Sequence, residues 1–210
     1  MTPEDFIRAN AALAAPPLVP EIRLYLASEV VPLWCKTEDQ LARSGVPPPY
    51  WAFAWAGGQA LARHVLDDPA IVRGKRVLDL GAGCGLVGIA AAKMGAARVL
   101  AADIDPFACA AIALNAAANA VEIAVTSEDL IGAAGSWETI LVGDLFYERP
   151  LAETLLPWLT KSKADVLLGD PGRSYFPQAS VERLALYKVP TSRELEDSEL
   201  RETGVWRLAK

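Results

Sequence analysis

Histidine is nearly missing from this chain. There is one, His64, in 210 residues, which disfavours a His-built metal site or a Ser-His-Asp triad. Cysteine is scarce as well. Cys35, Cys84 and Cys109 are widely spaced and form no CxxC or zinc-ligand pattern, so they read as reduced, mostly buried thiols in a reducing compartment. Basic charge falls short of acidic: 20 Lys and Arg against 26 Asp and Glu, net −6. That balance lacks the basic footprint of a nucleic-acid binder. No apolar run reaches the roughly 20 residues needed to span a bilayer. The acidic opening Met1-Thr2-Pro3-Glu4-Asp5 is unlike the basic start of a signal peptide. These absences together set an expectation: a soluble, cytoplasmic protein with no metal, membrane or nucleic-acid partner (or a mitochondrial-matrix one in a eukaryote).

What the chain does have is apolar material, 52% of its residues, enough for one sizeable core. The reading is a single domain over 1–210, with 1–49 as an N-terminal extension and 50–210 as the core. Thr2 before Pro3, Glu4 and Asp5 starts a helix that runs to about Ala15, ahead of Pro16-Pro17. Ile22 to Leu26 alternates as a strand. Thr37 to Gln40 matches a capping box and opens a short helix to Arg43. Trp51 to Leu66 reads as a helix, with Gly57-Gly58 as its weak point. After Gly74, strands (76–80, 98–102, 121–125, 139–142, 164–168) alternate with helices (85–95, 106–119, 150–160). Leu184–Val189 and Val205–Leu208 read as two last strands around a polar loop, Thr191 to Thr203. This pattern predicts an α/β fold: a Rossmann-like, seven-stranded, mostly parallel sheet with helices on both faces and a C-terminal antiparallel hairpin.

The most informative segment is Val77-Leu78-Asp79-Leu80-Gly81-Ala82-Gly83-Cys84-Gly85, a strand running into a glycine turn and then a helix. Such a turn opens a nucleotide crevice. Gly83, Gly85 and Gly88 also satisfy the dinucleotide spacing. However, Asp79 directly before the glycines would repel a pyrophosphate, whereas it favours a cationic ligand. S-adenosylmethionine, with an ammonium, a sulfonium and no phosphate, explains the segment better. Asp103, 24 residues after Asp79, is placed to accept ribose hydroxyls, while Asp105 before Pro106 suits a helix cap. Asp129 is a candidate for the adenine amino group and Leu130 for the ring. Trp51 and Trp55 are spaced to share a helical face, and Trp55 is the one expected at the cofactor. Asn115 is read as a structural contact.

These segments resemble a known family. Leu78 to Ile89 is similar to motif I of the seven-strand protein-lysine methyltransferases. Asp144-Leu145-Phe146-Tyr147 resembles their acid-x-x-Tyr signature, although Leu145 stands where relatives often carry an aromatic residue. Trp51 to Gly58 resembles their Trp-bearing segment. Pro20 to Leu24, Pro49 to Trp55 and Asp170-Pro171-Gly172-Arg173 are most similar to members acting on the electron transfer flavoprotein beta subunit. The resemblance implies Asp144 and Tyr147 as catalytic residues. It also implies a lysine channel lined by Trp55, Phe146 and Tyr147; Tyr175 and Phe176, after the fifth strand, are placed either to wall its entrance or to pack in the core. The implied partner is a protein: that flavoprotein subunit, or alternatively a ribosomal protein, with a small-molecule amine as a further alternative. A nucleic-acid base methyltransferase would need Pro-Pro after the fourth strand, and none is there.

Overall fold

A computed structural model describes residues 2–27, 48–191 and 198–209. Cys35 and the expected helix around Thr37 to Arg43 lie outside the described residues. The chain opens with helix α1, Pro3–Asn10. Thr2 and Asp5 cap it reciprocally, each side chain accepting from the other's amide. The helix stops short of the expected Ala15. Ala11 is extended, and β1 (Ala12–Ala14) pairs antiparallel with β2 (Leu24–Leu26). Alanine's helical preference amounts to about a few tenths of a kcal/mol per residue over ordinary residues, which a strand partner outweighs.

The main sheet has seven strands in the order β5-β4-β3-β6-β7-β9-β8. They are β3 (Arg76–Leu80), β4 (Arg98–Ala102), β5 (Ala124–Thr126), β6 (Thr139–Gly143), β7 (Asp165–Asp170), β8 (Val181–Pro190) and β9 (Leu200–Leu208). The first five are parallel, and β9 returns antiparallel between β7 and β8. The C-terminal loop is shorter than expected, because Arg201, Glu202 and Thr203 already pair with Val189, Lys188 and Tyr187. Strand order reverses between β3 and β6, so a crevice opens at their carboxyl ends.

Strand residues alternate between two cores. Val77, Leu141, Leu167 and Val205 pack with Leu61 and Val65 of α2 (Ala56–Asp67) and Ile89 of α3 (Leu86–Lys93). Leu78, Ile140, Val142 and Leu168 pack with Leu155 and Leu159 of α5 (Arg149–Lys161) on the other face. The helix expected from Trp51 begins only at Ala56. A 3-10 turn covers Tyr50–Ala52, Phe53 is extended, and Trp55 is the N-cap. Trp51 and Trp55 therefore do not share a helical face. Trp51 turns inward, edge-on to Phe6 at 6.4 Å, whereas Trp55 stays partly open. Among the described residues no helix is long and apolar enough to cross a membrane.

Helix α4 (Pro106–Ala118) carries the N-terminal segment through a small core of Ile7, Trp51, Ala108 and Ala111. Asn115, fully buried on α4, fixes this layer. Its Oδ1 accepts from Tyr25 N at 2.7 Å, and its Nδ2 donates to Cys84 O at 2.8 Å. Truncating it orphans both backbone groups. Asn115→Ala is expected to cost on the order of 2–3 kcal/mol in urea unfolding. Hydrogen exchange should speed up at Tyr25, while amides of β3 and β6 keep their relative protection.

Candidate active site

The loop after β3 turns on glycine. Gly81, Gly83 and Gly85 have φ of +63°, +53° and +78°, the left-handed region where a side chain is strained. Gly85 is also the N-cap of α3. Asp79 is buried below this loop, with Oδ2 accepting from Gly88 N at 2.7 Å. It thus ties β3 to α3 as well as charging the loop. Burial pushes its carboxyl up to about 7, with nearby Asp103 adding to the rise and the Gly88 amide opposing it.

Asp103 follows β4 and reaches the same loop. Its Oδ2 accepts from Gly83 N at 2.8 Å and its Oδ1 from Asp105 N at 3.0 Å. Each oxygen retains a second lone pair, which leaves room for hydroxyl donors. Burial also raises this carboxyl. Asp105 caps α4, accepting from Phe107 N at 2.8 Å. Beyond β5, Asp129 is exposed and accepts from Ile131 N at 2.9 Å, while Leu130 is buried. Left-handed glycines that keep the loop bare, with two acids held against it, suit a cationic nucleoside such as S-adenosylmethionine better than a pyrophosphate.

A second centre begins where β6 ends. Asp144 has φ +57°, rare for a residue with a side chain. Its amide donates to Gly169 O of β7 at 2.9 Å. Its Oδ2 accepts from the amides of Gly57 and Gly58, in the first turn of α2, where no helical carbonyl serves them. The two glycines are therefore a helix start rather than a weak point. A Cβ on Gly57 would overlap both the Gly169 carbonyl and Asp144 Oδ2. Asp144 Oδ1 faces Arg173, accepting from Nε at 2.9 Å with Nη2 at 2.7 Å.

Aromatic rings flank this acid. Trp55 Nε1 donates to Tyr50 O at 3.0 Å, and the Tyr50 ring lies 5.9 Å from Trp55 and 5.7 Å from Tyr147. Tyr50 and Tyr147 are 37% and 39% exposed, so the rings open to solvent. Burial pushes the Tyr147 phenol up to about 12, with smaller contributions from Tyr50, Glu148 and Asp103, and raises Tyr50 too. Both hydroxyls are neutral donors at working pH. Phe146 lies deeper than these rings. It is 1% exposed and packs edge-on to Phe176 at 5.8 Å in the α5-side core. Phe146 thus belongs to the core at this edge of the sheet. Tyr175 is 42% exposed, its amide donating to Phe146 O at 3.2 Å.

Three participants escaped the sequence reading as site residues: Tyr50, Asp170 and Arg173. A signal for the last two exists. Asp-Pro-Gly at a strand end favours a side-chain-capped turn that folds the next residue back. Among the described residues no group of three His, Cys, Asp or Glu side chains could hold a metal.

Known proteins with similar sequences and folds fit this geometry. The family model of ribosomal protein L11 methyltransferase (PrmA) matches residues 61–142. The electron transfer flavoprotein beta subunit lysine methyltransferase of Xenopus laevis is 44% identical over 97% of this chain and 86% of its own length. Its human counterpart is 40% identical over 90% of this chain and 75% of its own length. The magnesium protoporphyrin IX methyltransferase of Synechocystis PCC 6803, solved with bound S-adenosylmethionine, shares the fold at TM-score 0.56. It is 14% identical and covers 73% of this chain and 80% of that one.

The buried acid under the glycine loop has a measurable consequence. A cation bound there favours ionised Asp79, whose raised carboxyl takes up a proton as pH falls through about 7. Affinity for S-adenosylmethionine, measured by calorimetry, is expected to be flat above pH 8. Below pH 7 it should weaken, by up to about tenfold per pH unit if ionised Asp79 is required. Asp79→Asn should bind weakly and lose most of that pH dependence.

Proposed function

This chain belongs to the electron transfer flavoprotein beta subunit lysine methyltransferases, and from that premise we propose that it methylates lysine side chains of the electron transfer flavoprotein beta subunit in a reducing, cytoplasm-like compartment. It is an S-adenosylmethionine-dependent protein-lysine methyltransferase. The observation that carries the flavoprotein assignment is the 44% identity to the Xenopus laevis enzyme over 97% of this chain, and the acid that a lysine acceptor needs is Asp144. It is a buried acid at the end of β6, beside the glycine loop and bordered by Trp55, Tyr50 and Tyr147. The match to the L11 methyltransferase model stops at Val142, before this acid. It therefore speaks for the cofactor half and not for a ribosomal acceptor.

In this reading, Gly81, Gly83 and Gly85 present bare backbone to the cofactor. Asp79 balances its cationic end, Asp103 accepts ribose hydroxyls, Asp129 and Leu130 border the adenine, and Trp55 closes the side toward the acceptor. When bound, S-adenosylmethionine supplies an electrophilic methyl group on a sulfonium. Trp55, Tyr50 and Tyr147 surround the aliphatic stem of the lysine and exclude water, and Tyr175 borders the mouth. Asp144 orients the amine and stabilises the positive charge that grows on nitrogen as it is methylated. A free lysine has a pKa of about 10.4, so only ~0.1% is neutral near pH 7.4. The amine must therefore give its proton to water before it attacks.

The decisive test is incubation with radiolabelled S-adenosylmethionine and purified flavoprotein. Label should appear on lysine of the beta subunit. Asp144→Asn keeps an acceptor for the Gly57 and Gly58 amides but drops the charge. It is expected to lose on the order of 10²-fold in kcat with cofactor affinity retained. Unchanged turnover would remove Asp144 from the chemistry. Label on a ribosomal protein in place of the flavoprotein would move the substrate assignment and leave the enzyme class standing.

A further inference from the structure

The acid assigned to the lysine amine already holds a cation of its own. Arg173 meets Asp144 Oδ1 through Nε at 2.9 Å and Nη2 at 2.7 Å. The same guanidinium lies 5.8 Å over the Trp55 ring, within cation–π range. Arginine stays charged at any working pH. The turn before it is shaped to deliver it. Asp170 ends β7, and its Oδ1 accepts from Gly172 N and Arg173 N, both at 2.7 Å. Pro171 fixes its own φ, and Gly172 at φ +88° folds the chain back. A guanidinium is thereby aimed at the neighbouring strand's acid. Asp170 is 2% exposed, and its Oδ2 has no hydrogen-bond partner among the described residues.

A lone carboxylate beside a lysine ammonium would work against the reaction. An opposite charge at contact range stabilises an ionised group by about 1–3 pK units, which would shrink an already small neutral fraction. A carboxylate paired with a guanidinium exerts far less pull. Other titratable groups face the same spot. From β7 comes Asp170, whose carboxyl burial pushes up to about 7. From the segment after β6 come Tyr147 and Glu148, from the 3-10 turn Tyr50, and from the end of β4 Asp103. Both phenols are neutral. At Asp144 Oδ1 itself, the contacting guanidinium offsets part of the carboxylate's pull.

We propose that Arg173 is a positioning residue for methyl transfer: it holds Asp144 Oδ1 and weakens the acid's pull on an ammonium without abolishing it, so that the entrance between Trp55, Tyr50 and Tyr147 favours lysine as the neutral amine. The ammonium form meets a guanidinium already resting on the Trp55 face and an acid already paired. The neutral form finds an aromatic wall and an oriented carboxylate. This inference rests on the acceptor being a lysine amine, whichever protein carries it.

The test compares the full chain with Arg173→Gln, which removes the charge, and Arg173→Lys, which keeps it. The first readout is kcat against pH at saturating flavoprotein, which reports the ionisation of the bound lysine. In Arg173→Gln the acidic limb should move up by about one pH unit or more, with activity lost at pH 7.5 and partly recovered at pH 10. In Arg173→Lys the limb should stay in place. The second readout needs no protein acceptor: binding of n-butylammonium at pH 7 to enzyme saturated with S-adenosylhomocysteine, followed by NMR. Arg173→Gln should bind this cation several-fold more tightly than wild type, because Asp144 is then uncompensated. A limb that stays put in Arg173→Gln, or n-butylammonium binding that is equal or weaker, would overturn the proposal. A wrong flavoprotein assignment would leave the second readout untouched.

Discussion

Everything at the carboxyl edge of the sheet depends on how closely helix α2 approaches strands β6 and β7. Gly57 and Gly169 meet backbone to backbone, and a Cβ on either would overlap the other's peptide group. That approach puts the orphan amides of Gly57 and Gly58 within reach of Asp144, so the acid caps a helix that is remote in sequence. One carboxylate is thus part of the frame and part of the site. Its left-handed backbone, φ +57°, persists because the Gly169 carbonyl, the α2 amides and Arg173 hold it from three sides.

The carboxyl ends of parallel strands are where this fold gathers charge. Asp79, Asp103, Asp144 and Asp170 all lie there, within one residue of the ends of β3, β4, β6 and β7. Packing so many acids into a part-buried crevice is unfavourable unless each has a partner. Asp79 finds an amide of α3, Asp103 finds one in the glycine loop, Asp144 finds amides and a guanidinium, and Asp170 finds amides on one oxygen only. What distinguishes the two halves of the crevice is the compensating cation. In the cofactor half, the compensating cation in our reading is the ligand's own charge. In the acceptor half it is Arg173, part of the chain.

Much of this was legible in the sequence, for identifiable reasons. The strands Arg76–Leu80 and Arg98–Ala102 are bounded by turn residues and read true to the residue. Pro106 behind a capping Asp105 fixed the start of α4. Segments with weak local preference were misread. The alanines after Asn10 follow whichever partner tertiary structure supplies, here β2. The aromatic stretch from Trp51 has helical spacing, yet the closeness of Gly57 to β7 sets where the helix starts. The depth of Phe146 could not be read locally, because strand alternation does not pass through the left-handed Asp144. Tyr50, Asp170 and Arg173 come together only through the fold. Local pattern can suggest the Asp-Pro-Gly turn but not the acid it points toward.

The bridge made by Asn115 also orders events in the life of the chain. It joins Tyr25 to the carbonyl of Cys84, in the glycine loop, across 90 residues of sequence on one side and 31 on the other. During synthesis from the amino terminus, the first strand pair emerges long before the helix that anchors it, and the loop emerges before the brace that supports it. A nascent chain thus displays a glycine turn with nothing behind it until α4 arrives. Competence to hold the cofactor is in this sense a late-maturing property, reached when the oldest part of the chain docks onto the middle.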